Sequence, residues 1–347
     1  MTRVTVYISP DHDLCHTSLL FSGLCALEGN GDIALTCTVP RGEDRWLTGD
    51  AIVVCMDIAR DSGPKPARRI AIDLRDGEGV SRPILDRADR YFKRAFFPPE
   101  LDRLPPELAR KIGPYGLNFP MRTARSTRRL LGAIGWSLMR RGRAGIDKLR
   151  ELSCAPGPAA FEQGPETPVD AAIEFQPRLW TSAEVPAGEV EPLNMGRIAI
   201  VRALKRAFGA RYVGGLVPTP LALAEYPDEL TPHSSRKVHY LARKKRCLIS
   251  VYTRGIEHSL AFKLGESLAA SQCLVSMPLR YSLPTPLVSG THYLPFETPD
   301  ECVAACEDLL ASPERARAMR HANHAYYVSE VEPAAHVAKL LAACESR

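Results

Sequence analysis

The chain has 347 residues, 45% hydrophobic and 24% charged, with a formal net charge of only +5. That length exceeds what one hydrophobic core usually organises, so two domains are expected and a fibrous or wholly disordered chain is excluded. No apolar run reaches the roughly 20 residues of a membrane-spanning helix, and the first residues enter a strand pattern with no leader-like segment, so the expected location is the cytoplasm.

The first half alternates short apolar runs with helical patterns. RVTVYIS (3–9), IALTCTV (33–39), AIVVCMDI (51–58) and RRIAIDL (68–74) read as buried strands, SLLFSGLCALEG and PILDRADRYFKRAF as helices. Strands alternating with helices predict a parallel sheet. Asp11, His12, Asp13 and His16 follow the first strand, and Asp76 follows the fourth. An Asp-x-Asp there raises metal binding and a metal-dependent hydrolase, but its place after the first strand argues against a metal motif. Ten cysteines are scattered mostly through apolar runs with no CxxC pair, which predicts buried free thiols.

Residues 121–150 carry nine Arg or Lys against one acid, so +8 is local and the rest of the chain sums to −3. Leu130, Ile134 and Leu138 recur at four-residue spacing among the arginines, with Trp136 and Met139 near them. This pattern suits a helix on an anionic membrane surface or a packing helix with a basic outer face. Nucleic acid is not an expected partner, because aromatic side chains other than Trp136 are missing from the stretch.

CAPGPAAFEQGPETPVD (154–170) reads as a linker, after which the α/β pattern restarts. AAIEFQPRLW (171–180), RYVGGLV (211–217), CLISVYT (247–253) and CLVSMP (273–278) are predicted strands. MGRIAIVRALKRAFG, SSRKVHYLARKKR and HSLAFKLGESLAAS are predicted helices, and from Thr298 the tail is helical, restarting at Pro313 and Pro333. The domains expected are 1–153, including the basic helical stretch, and 171–330, with 331–347 a C-terminal helix packing back on the first. Ligands of such sheets lie beyond the carboxyl ends of the strands. Arg254 and Gly255 end one strand, and a helix predicted to begin near His258 follows, a setting suited to phosphate. On that helix Ser259, Lys263 and Glu266 share the side opposite Leu260, Leu264 and Leu268.

The runs GESLAASQCLVSMPL (265–279), LPTPLVSGTHYLPFETPDECVAACEDLL and IEFQPRLW resemble the C-terminal half of GT-B glycosyltransferases of the family 1/family 4 type, over about 171–330. The resemblance implies an α/β, GT-B fold of two Rossmann-like doubly wound domains facing a central cleft. It implies that Glu266 accepts hydrogen bonds from the donor ribose, and that Arg254, Lys263 and Arg178 face the diphosphate, with Gly255 and His258 beside them. Many retaining members carry E-x7-E, whereas His258 stands eight residues before Glu266, with Glu257 beside it. The function implied is metal-independent sugar transfer from a nucleotide-sugar donor, a co-substrate rather than a cofactor, to a glycan or lipid-linked acceptor in polysaccharide or cell-surface glycan biosynthesis. Asp13, His16 and Asp76 are the candidate general bases, and peripheral contact with the inner face of the membrane through 122–150 is expected. The alternative is a non-catalytic GT-B-like subunit that binds a nucleotide sugar or glycan.

Overall fold

A computed structural model describes residues 1–40, 42–60, 67–139, 141–185 and 188–344, and of 151–154 the backbone alone. The Arg140 and Cys154 side chains and the last three residues of the expected 331–347 helix lie outside the described residues. The chain forms two compact units. The first joins Met1–Pro158, Tyr281–Pro286 and Val328–Arg347, and the second joins Ala159–Arg280 and Leu287–Tyr327.

The first unit holds a six-stranded sheet of β1 (Thr2–Tyr7), β2 (Ile33–Thr38), β3 (Val53–Arg60), β4 (Arg68–Asp73), β5 (Arg90–Lys93) and β6 (Ile112–Pro114), in the order β2-β1-β3-β4-β5-β6. Helix α1 (Ser18–Asn30) connects β1 to its parallel neighbour β2 and stops at Gly31, whose φ of 84° is left-handed. The sheet is mixed rather than all parallel, because β3 runs antiparallel to both β1 and β4. Only 61–67 separate β3 from β4, too few residues for the crossover that parallel pairing needs. The helix expected over 83–96 is likewise divided. Helix α2 (Arg82–Arg87) ends at Ala88, and Tyr91, Phe92 and Lys93 enter the sheet as β5. Aromatic side chains between two strands suit a pleated, buried surface, which overrides the local helical pattern. Short helix α3 (Pro106–Ala109) leads into β6, and α4 (Ala124–Met139) and α5 (Arg143–Cys154) form the basic stretch. Leu20 and Leu24 of α1, Leu130, Ile134 and Leu138 of α4, and Val337, Leu340 and Leu341 of the C-terminal helix Pro333–Ala343 share one core with β1–β4.

Helix α6 (Pro158–Phe161), inside the segment read as a linker, spans the boundary at Ala159, and the second unit then builds a fully parallel sheet. Its strands are β7 (Asp170–Phe175), β8 (Tyr212–Gly214), β9 (Cys247–Tyr252), β10 (Cys273–Ser276) and β11 (Tyr293–Pro295), in the order β11-β10-β9-β7-β8. Its helices are α7 (Val190–Phe208), α8 (Pro220–Glu225), α9 (Lys237–Lys244), α10 (Phe262–Ala269), α11 (Pro299–Ala311) and α12 (Pro313–Tyr326), and the C-terminal helix of the first unit is then α13. Helices α11, α12 and α13 each open on proline, whose missing N–H belongs to the unpaired first turn anyway. Thr298 and Glu301 close a capping box on α11. Nine cysteines are free among the described residues, seven of them buried.

Candidate functional site

All five strands of the second sheet point the same way, so their carboxyl ends share one edge and the loops after β7 and β9 emerge side by side. Helix α7 ties these loops together. Arg197, 7% exposed, donates Nη1 to the Arg178 carbonyl (2.6 Å) and Nη2 to the Arg254 carbonyl (3.0 Å). Burial pulls its pKa down to about 10. Asn194 holds the backbone of Trp180 on both sides, at 3.0 and 2.8 Å, and the Glu189 carboxylate accepts the Glu257 N–H at 3.0 Å. A cavity of about 80 Å³ opens here, lined by Arg197, Thr253, Arg254, Met277 and Glu297 among others.

The loop after β9 is shaped by its own contacts. Gly255 donates to the Ser259 carbonyl (2.9 Å), and a Cβ at Gly255 would collide with the Ser259 hydroxyl. Glycine here serves the packing of the turn, since the space its side chain would take belongs to Ser259. Glu257 and His258 follow with φ of 50° and 60°, a left-handed pair of non-glycine residues that costs conformational energy. The helix begins at Phe262, four residues beyond the expected start at His258, because 256–258 form a separate 3-10 turn. The Tyr252 hydroxyl accepts the Ala261 N–H (2.8 Å) and anchors the link between them. His258 lies against Arg254, with Arg254 Nη1 2.8 Å from the ring Nδ1. An arginine only donates, so Nδ1 is the acceptor.

Lys263, half-buried, and Glu266, buried, belong to one cluster with residues of β7 and α9. Lys263 donates Nζ to the Gln176 carbonyl just past β7 and lies 5.3 Å from the centre of the Tyr240 ring. Burial is the main cause that lowers its pKa to about 8, against the opposing pull of Glu174. Glu266 is 1% exposed, and its Oε1 takes the ammonium of Lys237. Among the described residues no donor reaches its Oε2. Beneath them Glu174 of β7 and Lys244 of α9 form a buried pair at 2.9 Å, with Ser250 2.8 Å from the same ammonium. Burial raises the Glu174 carboxyl, but Lys244 and Lys263 overcome it and hold it below its ordinary range. Glu174 Oε1 is also left without a donor among the described residues.

Of the sequence candidates, Lys263 and Glu266 therefore share the cluster on α10, and Arg254 and His258 pair with each other. Arg178 is directed to Glu184 and stacks 4.3 Å over the Trp180 ring. Sequence reasoning missed Glu174, Lys237, Tyr240, Lys244 and Arg197. The KVHYLARK stretch reads from the sequence only as a helix, and the one available signal is the four-residue spacing of Lys237, Leu241 and Lys245 against Tyr240 and Lys244.

In the first unit Asp13 accepts the backbone N–H of Cys15 (2.9 Å) and of His16 (2.8 Å), and its Oδ2 lies 2.8 Å from His16 Nδ1. Burial would raise this carboxyl, but His16 outweighs it and holds the pKa well below the usual range. Asp11 instead pairs with Arg141, and His12 is buried with Nδ1 3.4 Å from the Ser9 N–H. These four do not converge, and among the described residues no group of three His, Cys, Asp or Glu is placed to hold a metal ion. Asp76 pairs with the buried Arg94.

Residues 197–342 match a family described as glycosyl transferase-like, over much of the stretch where the sequence resemblance lies. Among solved structures, the chain is similar to HepE of Anabaena in complex with UDP, at 9% identity and TM-score 0.37, over 92% of this chain and 88% of that one. It is also similar to a GtfA/B complex, at 13% identity and TM-score 0.33, over 79% of this chain and 57% of that one. No curated protein matches it. The α/β architecture in two units, with a mixed sheet in the first and a fully parallel sheet in the second, agrees with the fold class the resemblance implies. Among the described residues no helix is long and apolar enough to cross a membrane.

Proposed function

We propose that the protein is a glycosyltransferase of the GT-B type whose second unit holds a nucleotide-sugar donor at the carboxyl edge of its sheet. The observation that carries this reading is Glu266, a buried carboxylate with one oxygen paired to Lys237 and the other lacking a donor. A buried acceptor left unpaired is costly, and two ribose hydroxyls would satisfy it. Arg254, His258 and Lys263 supply donors and positive charge for a diphosphate, which lets leaving-group charge be stabilised without a metal. Arg178 joins them through the Arg197 bridge, which fixes the backbone of both loops.

Transfer also needs a base for the acceptor hydroxyl, and we assign it to His16. The Asp13 carboxylate at 2.8 Å from Nδ1 fixes the orientation of the ring, the role an orienting carboxylate plays beside a catalytic histidine. Asp76 is held by Arg94 and is the weaker candidate. A glycan or lipid-linked acceptor in polysaccharide or cell-surface glycan synthesis fits this chemistry. A non-catalytic binding subunit is the second reading, favoured by His258 standing where many retaining enzymes place a glutamate.

Calorimetry against a panel of nucleoside diphosphates and nucleotide sugars, with and without chelator, tests the donor site. At least one ligand is expected to bind, unaffected by chelator, and Glu266→Ala is expected to weaken it about tenfold or more, the worth of a hydrogen bond to a charged group. No binding at millimolar concentration sinks both readings. Binding without turnover or donor hydrolysis in any combination selects the non-catalytic subunit.

A further inference from the structure

Helix α4 has two unlike faces. Ser126, Leu130, Ile134 and Leu138, four residues apart, are buried against the first unit's core. At 100° per residue the opposite face carries Arg125, Arg128, Gly132, Trp136 and Met139, three and four apart. Trp136 is 70% exposed and Met139 63% exposed. A single exposed apolar residue is ordinary, but a tryptophan and a methionine adjoining on the outer pole of an arginine-rich helix are a different matter.

The same helix borders a shallow hollow of about 550 Å³, lined by Arg125, Arg128, Arg129 and Glu28 along with small side chains. Glu28 is the one acid there, and it serves both Arg125 and Arg129. Among the described residues no acid lies within ion-pair distance of Arg128 or of Arg143, which opens α5. The surface is therefore an amphipathic stripe turned outward, with apolar side chains at one end and an excess of positive charge, in which Glu28 offsets only Arg125 and Arg129. That combination matches the interface of an anionic bilayer, where an indole sits at headgroup level and guanidinium groups meet lipid phosphates.

We propose that α4, with the start of α5, docks on an anionic lipid membrane, Trp136 and Met139 entering the headgroup region while Arg125, Arg128 and Arg143 contact lipid phosphates. The inference goes beyond sugar transfer, and its test reads no nucleotide.

Full-length protein is mixed with phosphatidylcholine vesicles containing none or one third phosphatidylglycerol, at 50 and 500 mM salt. Sedimentation with the anionic vesicles alone is expected, falling at high salt, with a blue shift of tryptophan emission that Trp136→Phe abolishes. Arg128→Glu is expected to weaken partitioning about fivefold or more, and Trp136→Ser/Met139→Ser about tenfold. Both variants change exposed positions, and unchanged circular dichroism and melting temperature confirm that they fold. Equal binding to neutral and anionic vesicles, or no binding at 50 mM salt, overturns the proposal. So does a concentration-dependent dimer that Trp136→Ser/Met139→Ser dissociates, since a second copy would then cover the face, or tight salt-sensitive binding to RNA with none to vesicles.

Discussion

Lys263 is charged at neutral pH at a cost, because burial has lowered its pKa from 10.5 to about 8. Above that pH the folded chain releases the proton before the unfolded chain does. The unfolded state then binds more protons, and stability rises between about pH 8 and 10.5 while being penalised by a constant amount below 8. Denaturation in urea at pH 7, 8, 9 and 10 is expected to show this rise in the native chain and to lose it in Lys263→Met. Ligand binding should run the other way, since a diphosphate needs the charged ammonium: nucleotide affinity is expected to fall as pH passes 8, and to become flat in Lys263→Met. Below it, Glu174 and Lys244 are each 2% exposed or less. Lys244→Met should cost about 3–5 kcal/mol by leaving a buried carboxylate unpaired, and Lys244→Met/Glu174→Leu should recover much of that in the same assay. The sequence placed Lys263 and Glu266 on one polar helix side, but it did not show that Glu266 meets Lys237 or that Glu174 meets Lys244. Those partners lie 29 and 70 residues away, and only the stacking of α9 and α10 on β7 and β9 brings them together.

At the scale of elements, proline and glycine were the most legible marks. Pro313 and Pro333 start helices and Gly209 ends one, whereas the first helix runs past Gly29 to Asn30 and stops at Gly31. The strands of the second unit were legible too, because strands buried in a parallel sheet read as near-continuous apolar runs. What stayed hidden was direction and partner. Nothing local distinguishes an antiparallel β3 from a parallel one except the short span that follows it, and RYFK reads as helix until a sheet surrounds it. Helices α1 and α13 show the same limit. They cross so closely that a Cβ at Gly23 would overlap the Pro333 carbonyl oxygen and press on Val337. Gly23→Ala is therefore expected to destabilise the first unit by about 1–3 kcal/mol, against the slight gain alanine normally brings to a helix, as read by the urea midpoint. His336 lies on α13, its ring 4.6 Å from that of Tyr115, and burial lowers its pKa to about 4. Its ordinary pKa is 6.5, so below that pH the unfolded chain takes up a proton that the folded chain refuses. Stability is full above 6.5 and declines as pH falls toward 4. His336→Gln should flatten part of that decline, and buried His12, also lowered to about 4, should keep the rest.

For the molecule as a whole, the restart of the α/β pattern after 170 made two halves legible, and the segment Val328–Arg347, which joins the first unit, does so through apolar side chains meeting across the length of the chain. A chain ending at Tyr327 would lack Val337, Leu340 and Leu341 from the first core. It is expected to lose the cooperative unfolding transition of the first unit and keep that of the second, as calorimetry can resolve. The discontinuity of the first unit also sets an order in time. Its six strands are synthesised by Pro114, but the helix that closes their core begins at Pro333. At about 5–20 residues per second, that interval lasts roughly 10–45 s on the ribosome. The half made first is thus the half completed last, and throughout that interval the surface of α1 that awaits α13 is open to chaperones or to the same surface of another nascent chain.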